Sequence, residues 1–206
     1  MAAQEETTGK TATVRQSRTR LAPEVRRAMI IEQATTLISE RGFSAFTLLG
    51  LAEACGMTRR GLDHYFTSRE EILIAVLRHR DEVDVAVLGQ GEMGAPLDRE
   101  GAWRALDETV RRNASQREIV RLYTVLGAES LNPEHPAHGY FLERALTVRK
   151  AVAAAIGSWH PRPEEFAIEV IAVLDGLQIS WLREPHLDLF ELWRDAGMLL
   201  DRDSTP

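Results

Sequence analysis

The sequence predicts an all-α protein of about nine helices: a small three-helix head containing a helix-turn-helix, followed by a larger helical body. Three observations carry that prediction. Apolar residues recur at three- and four-residue spacing along the long segments, which lines one face of a helix. Openings and endings are written in the local chemistry: Pro23-Glu24 and Ser68-Arg69-Glu70-Glu71 start helices, while Gly42 and Gly56 end them. Finally, TLLGLAEACGMTRRGLDHYF, from Thr47 to Phe66, reads as two short helices joined by a tight turn.

Residues 1–22 hold almost no bulky apolar side chain and are rich in Thr, Ala, Ser and Gln, a composition expected to stay unfolded. Lys10, Arg15, Arg18 and Arg20 make this a basic arm, able to follow a phosphate backbone or to remain a solvated tail. From Pro23, the positions Val25, Met29, Ile30, Ala34, Leu37 and Ile38 keep helical spacing through Arg41. Phe43 and Phe46 follow as aromatic core. Leu48, Leu51, Ala52 and Cys55 form one stripe on the first short helix. Gly50 inside it costs about 1 kcal/mol relative to alanine and is read as close approach to the partner helix or to a nucleic acid. Thr58 caps a second helix of about two turns, opening with Arg59 and Arg60 and closing with His64, Tyr65 and Phe66. Polar residues at that start are where such a motif meets the major groove, although a helical hairpin with a glycine turn is also an ordinary structural unit.

The capping box at Ser68 opens a helix of about five turns to Leu88, broken by the run Gly89 to Pro96. Further helices are expected over Asp98–Asn113, Arg117–Ser130, Tyr140–Trp159, Glu164–Arg183 and Leu187–Asp201, with Asn132-Pro133-Glu134-His135-Pro136 as a turn.

A chain of 206 residues is long enough for a real core, and 44% hydrophobic residues exclude the class of chains too polar to fold. Cys55 is the only cysteine, so no internal disulfide framework exists and a reducing compartment is expected. No apolar run reaches membrane-spanning length and the N-terminus lacks a signal-peptide core, so the expectation is cytoplasmic with no membrane partner. The net charge of −6 hides an asymmetry: residues 10–80 sum to +5 and residues 81–206 to −9. A basic head on an acidic body suits a nucleic-acid partner.

Residues 27–73 resemble the DNA-binding head of the tetracycline-repressor (TetR) family of transcriptional regulators. Ala34, Leu37, Gly42, Phe43, Thr47, Leu51, Ala52, Ala54, Gly56, Thr58, Leu62, Tyr65, Phe66, Ser68, Glu70 and Leu73 keep that family's order without a gap. The resemblance implies a homodimeric, ligand-responsive repressor of a double-stranded DNA operator, released by a small, hydrophobic effector; the alternative is an all-α ligand-binding or interaction protein without operator binding. It divides the chain into the arm (1–22), a helix-turn-helix domain (23–68) and a ligand-binding and dimerisation domain (69–206). Thr47, Thr58, Arg59, Arg60, Asp63, His64, Tyr65 and Arg69 become the expected DNA contacts, with Arg59 and Arg60 as base readers. Two positions depart from the pattern, since Asp63 stands where a tyrosine is usual and Arg60 where a glycine is usual. An aspartate repels phosphate but can accept from a cytosine amino group.

No phosphate-binding glycine loop and no nucleophile–base pair is recognisable, so no enzyme and no cofactor is expected. His135 and His138 lack a cysteine or carboxylate partner that would complete a metal set. In the body, Trp103, Tyr123 and Phe141 are either plain core or effector-pocket walls, with Arg104, Asn132, His138 and Asp175 as candidate polar groups. Phe166 to Leu182 is apolar on nearly every face, so it is expected to be buried all round, with a subunit seam as the natural place. Ala172, Gly176, Ile179 and Ser180, together with Leu189, Trp193 and Ala196 of the next helix, are the expected dimer contacts, with an intrachain hairpin as the alternative. Removing residues 1–20 is expected to flatten the salt dependence of DNA affinity while sparing operator preference. Fluorescence anisotropy over a salt series reads this; an unchanged slope leaves the arm without a part in binding.

Overall fold

The computed structural model describes residues 22–88 and 97–200; the arm and the Gly89–Pro96 break lie outside them. Among the described residues every regular element is helical. α1 runs Pro23–Arg41, with proline in its first turn, and ends where Gly42 adopts φ 77° and donates to Ile38 O at 2.8 Å. A 3-10 turn, Phe43–Ala45, leads to α2, Leu48–Ala54, capped by Thr47, whose Oγ1 accepts from Gly50 N at 3.1 Å. Gly56 turns the chain at φ 61°, in the left-handed region that glycine adopts without strain. α3, Arg59–Asp63, is capped by Thr58 in the same way, from Gly61 N. α3 is shorter than its spacing predicts, because His64 caps it and Tyr65 and Phe66 leave the helix to pack inward.

α4, Arg69–Leu88, opens on the expected box: Ser68 Oγ accepts from Glu71 N at 3.0 Å, and Glu71 reaches back to the backbone and hydroxyl of Thr67. The body comprises α5 (Arg99–Ser115), α6 (Arg117–Glu129), α7 (His138–Ile156), α8 (Pro163–Arg183) and α9 (Leu189–Leu200). α7 starts two residues before the expected Tyr140 and stops at Gly157, short of Trp159.

Two apolar clusters organise the molecule. One joins Ile30, Ile38, Leu51, Leu62, Phe66 and Leu73 of the head to Ile119, Leu122 and Leu126 of α6 and Tyr140 of α7. The other lies among α5 to α9 around Leu106, Ile156, Phe166 and Trp193. α6 contributes to both, Leu122 to the first and Val120 to the second, and Arg80 of α4, nearly buried, donates to Asn113 Oδ1 at 2.8 Å and to Gln116 Oε1 at the α5–α6 corner. Arg117 does similar work between α6 and α8, donating to Trp181 O while stacking over its ring at 4.4 Å.

Several expectations need correcting. Gly50 meets no partner helix: a Cβ there would touch only the capping Oγ1 of Thr47, at 3.1 Å. Leu189 and Trp193 are each 1% exposed within a single chain, so they belong to the intrachain core and not to a subunit seam. Trp193 packs against Trp103 at 5.9 Å between ring centres and donates Nε1–H to Asp107 at 2.8 Å. α8 is not buried all round either; Ile168, Ala172, Gly176, Ile179 and Ser180 face outward. Trp193→Ala should therefore cost about 3–5 kcal/mol of folding stability, as emptying a core aromatic does. Urea unfolding monitored by circular dichroism checks this; normal stability with altered self-association would return Trp193 to an interface.

Candidate functional site

The head presents a compact polar surface at the start of α3. Thr47, Thr58, Arg59, Arg60, Asp63 and His64 are all exposed there. The two threonine hydroxyls already accept backbone N–H groups as helix caps. Arg59 Nε donates to Asp63 Oδ1 at 2.9 Å, one turn along α3, which leaves the two terminal nitrogens of the guanidinium fork facing outward chemistry. Asp63 thus has a local task in addition to any contact beyond the protein. Exposed ion pairs of this kind add little to stability, so orientation of Arg59 is its main effect.

One of the expected contacts lies elsewhere. Arg69 is turned inward, donating Nε to Phe46 O at 3.2 Å and a terminal nitrogen to Phe43 O, and so it ties α4 to the loop before α2. A carbonyl-bound arginine of this kind is a clasp of the fold, which corrects its assignment as a DNA contact. Tyr65 is half-buried and packs on the head cluster. The thiol of Cys55 in the same cluster is pushed up by burial, with Arg26 opposing.

In the body a cavity of about 530 Å³ opens between α4 to α8. Its apolar walls include Leu106, Val120, Phe141, Val148, Val152, Val170, Ile171 and Leu174. Its polar wall is a bonded network. Asp81 of α4 accepts from Tyr123 of α6 at 2.9 Å, from Tyr140 of α7 at 2.6 Å and from Arg144 Nε at 2.9 Å. The Arg144 guanidinium lies over the Tyr123 ring at 4.4 Å, and the Tyr123 hydroxyl also reaches Leu77 O at 2.7 Å. Burial raises both phenols, and the neighbouring Asp81 charge raises them further, so both stay protonated donors. Burial works against the charge of Arg144, but Asp81 and the two tyrosines outweigh it.

Of the residues expected at a pocket, Tyr123, Phe141 and Asp175 line this cavity. Burial pushes the Asp175 carboxyl up, with Arg144 opposing. The others do not reach it. Trp103 packs on Trp193 in the α5–α9 core. Arg104 is exposed and pairs with Glu100 one turn away on α5. Asn132 Oδ1 accepts from Glu134 N at 3.1 Å, and His138 Nδ1 donates to Ser130 O at 2.7 Å, so both lock the turn before α7. Among the described residues no group of three or more His, Cys, Asp and Glu could hold a metal.

Sequence reading missed Asp81, Arg144, Tyr140 and Gln178 at this cavity or its network. The available signal was weak. Tyr140 and Arg144 stand four apart on α7, which puts them on one face, but their common partner lies 59 residues before the tyrosine.

Comparison with known proteins bears on both parts of the molecule. Residues 30–76 match the family model of the bacterial regulatory proteins, tetR family. A TetR-family transcriptional regulator from Rhodococcus sp. is 20% identical, with TM-score 0.69 over 88% of this chain and 100% of that one. The FadR regulator of Bacillus subtilis, solved with stearoyl-CoA, is 14% identical, with TM-score 0.67 over 84% of this chain and 96% of its own. Thermus thermophilus FadR, a TetR-family repressor solved with lauroyl-CoA, is 19% identical, with TM-score 0.56 over 84% and 92%. No curated protein matches the chain. Residues 30–76 thus resemble the N-terminal segment of the tetR family of bacterial regulatory proteins, and the described helices together have the fold of these solved regulators.

Proposed function

We propose that this protein is a ligand-responsive transcriptional repressor that reads a palindromic operator as a homodimer. The observation that carries the reading is the pair Arg59 and Arg60, both exposed at the N-terminal end of α3 in a helix-turn-helix. The arm and residues 23–68 form the reading part, and residues 69–206 the sensing and dimerising part. Operator binding would keep the protein in the cytoplasm with the DNA; among the described residues no helix is long and apolar enough to cross a membrane.

The cavity between α4 and α8 is the effector site in this reading, and its mostly apolar walls favour a hydrophobic ligand. The acyl-CoA complexes of two regulators of similar fold agree with that preference. A ligand releases DNA only if it prefers the non-binding conformation. α4 supplies the coupling, because one helix carries both Arg69, bound to the head, and Asp81, bound to the cavity wall.

A single head spans only a few base pairs, and two heads about 34–36 Å apart would meet successive major grooves. The outward face of α8, with Ala172, Gly176, Ile179 and Ser180, is the proposed seam, extended by Ala196 of α9, which is half-buried. Nothing lies within 4 Å of a Cβ added at Gly176, so a second helix has room to approach there.

Alanine at Arg59 or Arg60 is expected to cost about 1–3 kcal/mol on an operator selected from random duplexes and to relax the preference at one base position. Equal weakening on every duplex, read by anisotropy, would reduce both residues to phosphate contacts. Gly176→Arg should give a folded, helical monomer that loses its operator at micromolar protein, since it sets two charges in a desolvated seam. Analytical ultracentrifugation decides the seam: a mutant that stays dimeric and holds the operator as before excludes this face.

A further inference from the structure

Arg144 stands where two cavities meet. It lines the body cavity and also a smaller one of about 210 Å³ between α4 and α7, with Asp81 and Val148 common to both. Its guanidinium lies over the ring of Tyr123, which lines the larger cavity and not the smaller. Nε–H goes to Asp81, and neither terminal nitrogen donates to any described residue. Those nitrogens are not sealed in the core. Among the described residues, the buried side-chain nitrogens without a partner belong to Trp103, Arg121, Arg149 and Trp159, so the terminal nitrogens of Arg144 face open space.

An unused fork of N–H donors on a cavity wall is completed by an acceptor. Asn113 adds to the donor side. Its Oδ1 already receives Arg80, and an arginine only donates, so what Asn113 has left to offer the cavity is its N–H2. Charge then narrows the kind of acceptor. The charged residues lining the larger cavity are Arg144 against Asp81 and Asp175. Asp81 holds Arg144 at 2.9 Å, and the exposed Asp175 carboxylate acts on the same arginine. The smaller cavity adds Glu82, and Arg78 bonded to Glu143, so it brings no positive excess. A carboxylate or phosphate head would enter walls whose charge is already negative, and a cationic head would meet the donor face of Arg144. An uncharged oxygen that only accepts satisfies the fork without either conflict.

We propose that the body cavity takes an uncharged amphiphile whose carbonyl oxygen accepts from the terminal nitrogens of Arg144, with its hydrocarbon part among Leu106, Val120, Val152 and Leu174. The proposal rests on the effector-site reading above and deepens it by naming the head group, which sets this chain apart from the regulators solved with acyl-CoA.

The test compares N,N-dimethyldecanamide, decanoate, n-decylammonium and lauroyl-CoA by isothermal titration at pH 7, with melting curves to verify folding. The amide, which accepts and cannot donate, should bind the unaltered protein tightest of the four. Arg144→Lys keeps a positive charge beside Asp81 but removes the fork, and it should weaken the amide about tenfold, the loss typical of a charged hydrogen bond. Asp175→Asn should leave the amide unchanged and tighten decanoate. Should Arg144→Lys fail to fold, nitrogen-15 spectra of the arginine side chains give the same readout in the unaltered protein, where the terminal N–H signals of Arg144 should move on adding the amide. Tighter binding of decanoate, decylammonium or lauroyl-CoA to the unaltered protein overturns the proposal. Equal amide affinity in Arg144→Lys, unmoved Arg144 signals, no gain for decanoate in Asp175→Asn, or binding of none of the four overturns it as well. Operator release is measured separately by anisotropy. An amide that binds through Arg144 yet leaves the operator bound refutes the effector role and leaves the head-group assignment standing.

Discussion

Asp81 is where the two halves of the molecule meet. It sits on the helix that leaves the head, and its two carboxylate oxygens receive Tyr123 from α6 and both Tyr140 and Arg144 from α7. A carboxylate in a half-buried setting is tolerable only when its lone pairs are occupied, so the three donors are held to it as firmly as it is held to them. The consequence is positional. The rotation of α4 about its axis and its height against α6 and α7 are set by one polar contact at the cavity edge. Arg80, adjacent in sequence, sets α4 against the α5–α6 corner. Apolar packing alone would leave a helix free to slide by small steps; two directional bonds at neighbouring residues remove that freedom.

The same helix begins in the head. Arg69 holds the carbonyls of Phe43 and Phe46, and the head's apolar cluster continues through Leu73 and Leu77 onto Leu122 and Leu126 of α6. Head and cavity therefore share a wall and are not beads joined by a linker. Any group that competes for Tyr123 or Arg144 acts on the helix that positions the head, which is the physical requirement for coupling two distant sites.

The arginines divide by task in a way that charge counting does not reveal. The basic excess of the N-terminal third looks like a single electrostatic footprint. In the fold, Arg69 and Arg80 are spent on carbonyl and amide oxygens inside the molecule, whereas Arg59 and Arg60 remain on the surface. Asp63 has a partner in the first of these surface groups, since it fixes the Nε side of Arg59.

By itself the sequence determined what depends on neighbours a few residues apart. The helices, the caps at Thr47, Thr58 and Ser68, the left-handed turn at Gly56 and the all-α class were all legible, because caps and turns are made by groups within four residues of each other and the apolar stripe repeats with the helix. The start of α3 was legible for the same reason. Only the tertiary structure decided which apolar stripe faces which. Leu189 and Trp193 read as interface because an apolar face on one helix has no visible partner in sequence, yet both lie in the body core, where Trp193 meets Trp103 and Asp107 of α5. Asn132 and His138 read as pocket groups but serve their own turn, while Asp81 and Gln178 read as nothing at all. Their roles depend on partners on other helices, such as Tyr140, 59 residues from Asp81, or on a cavity lined by residues from 81 to 179. Side-chain spacing along one helix says which residues share a face; it carries no information about what that face will meet once distant helices pack.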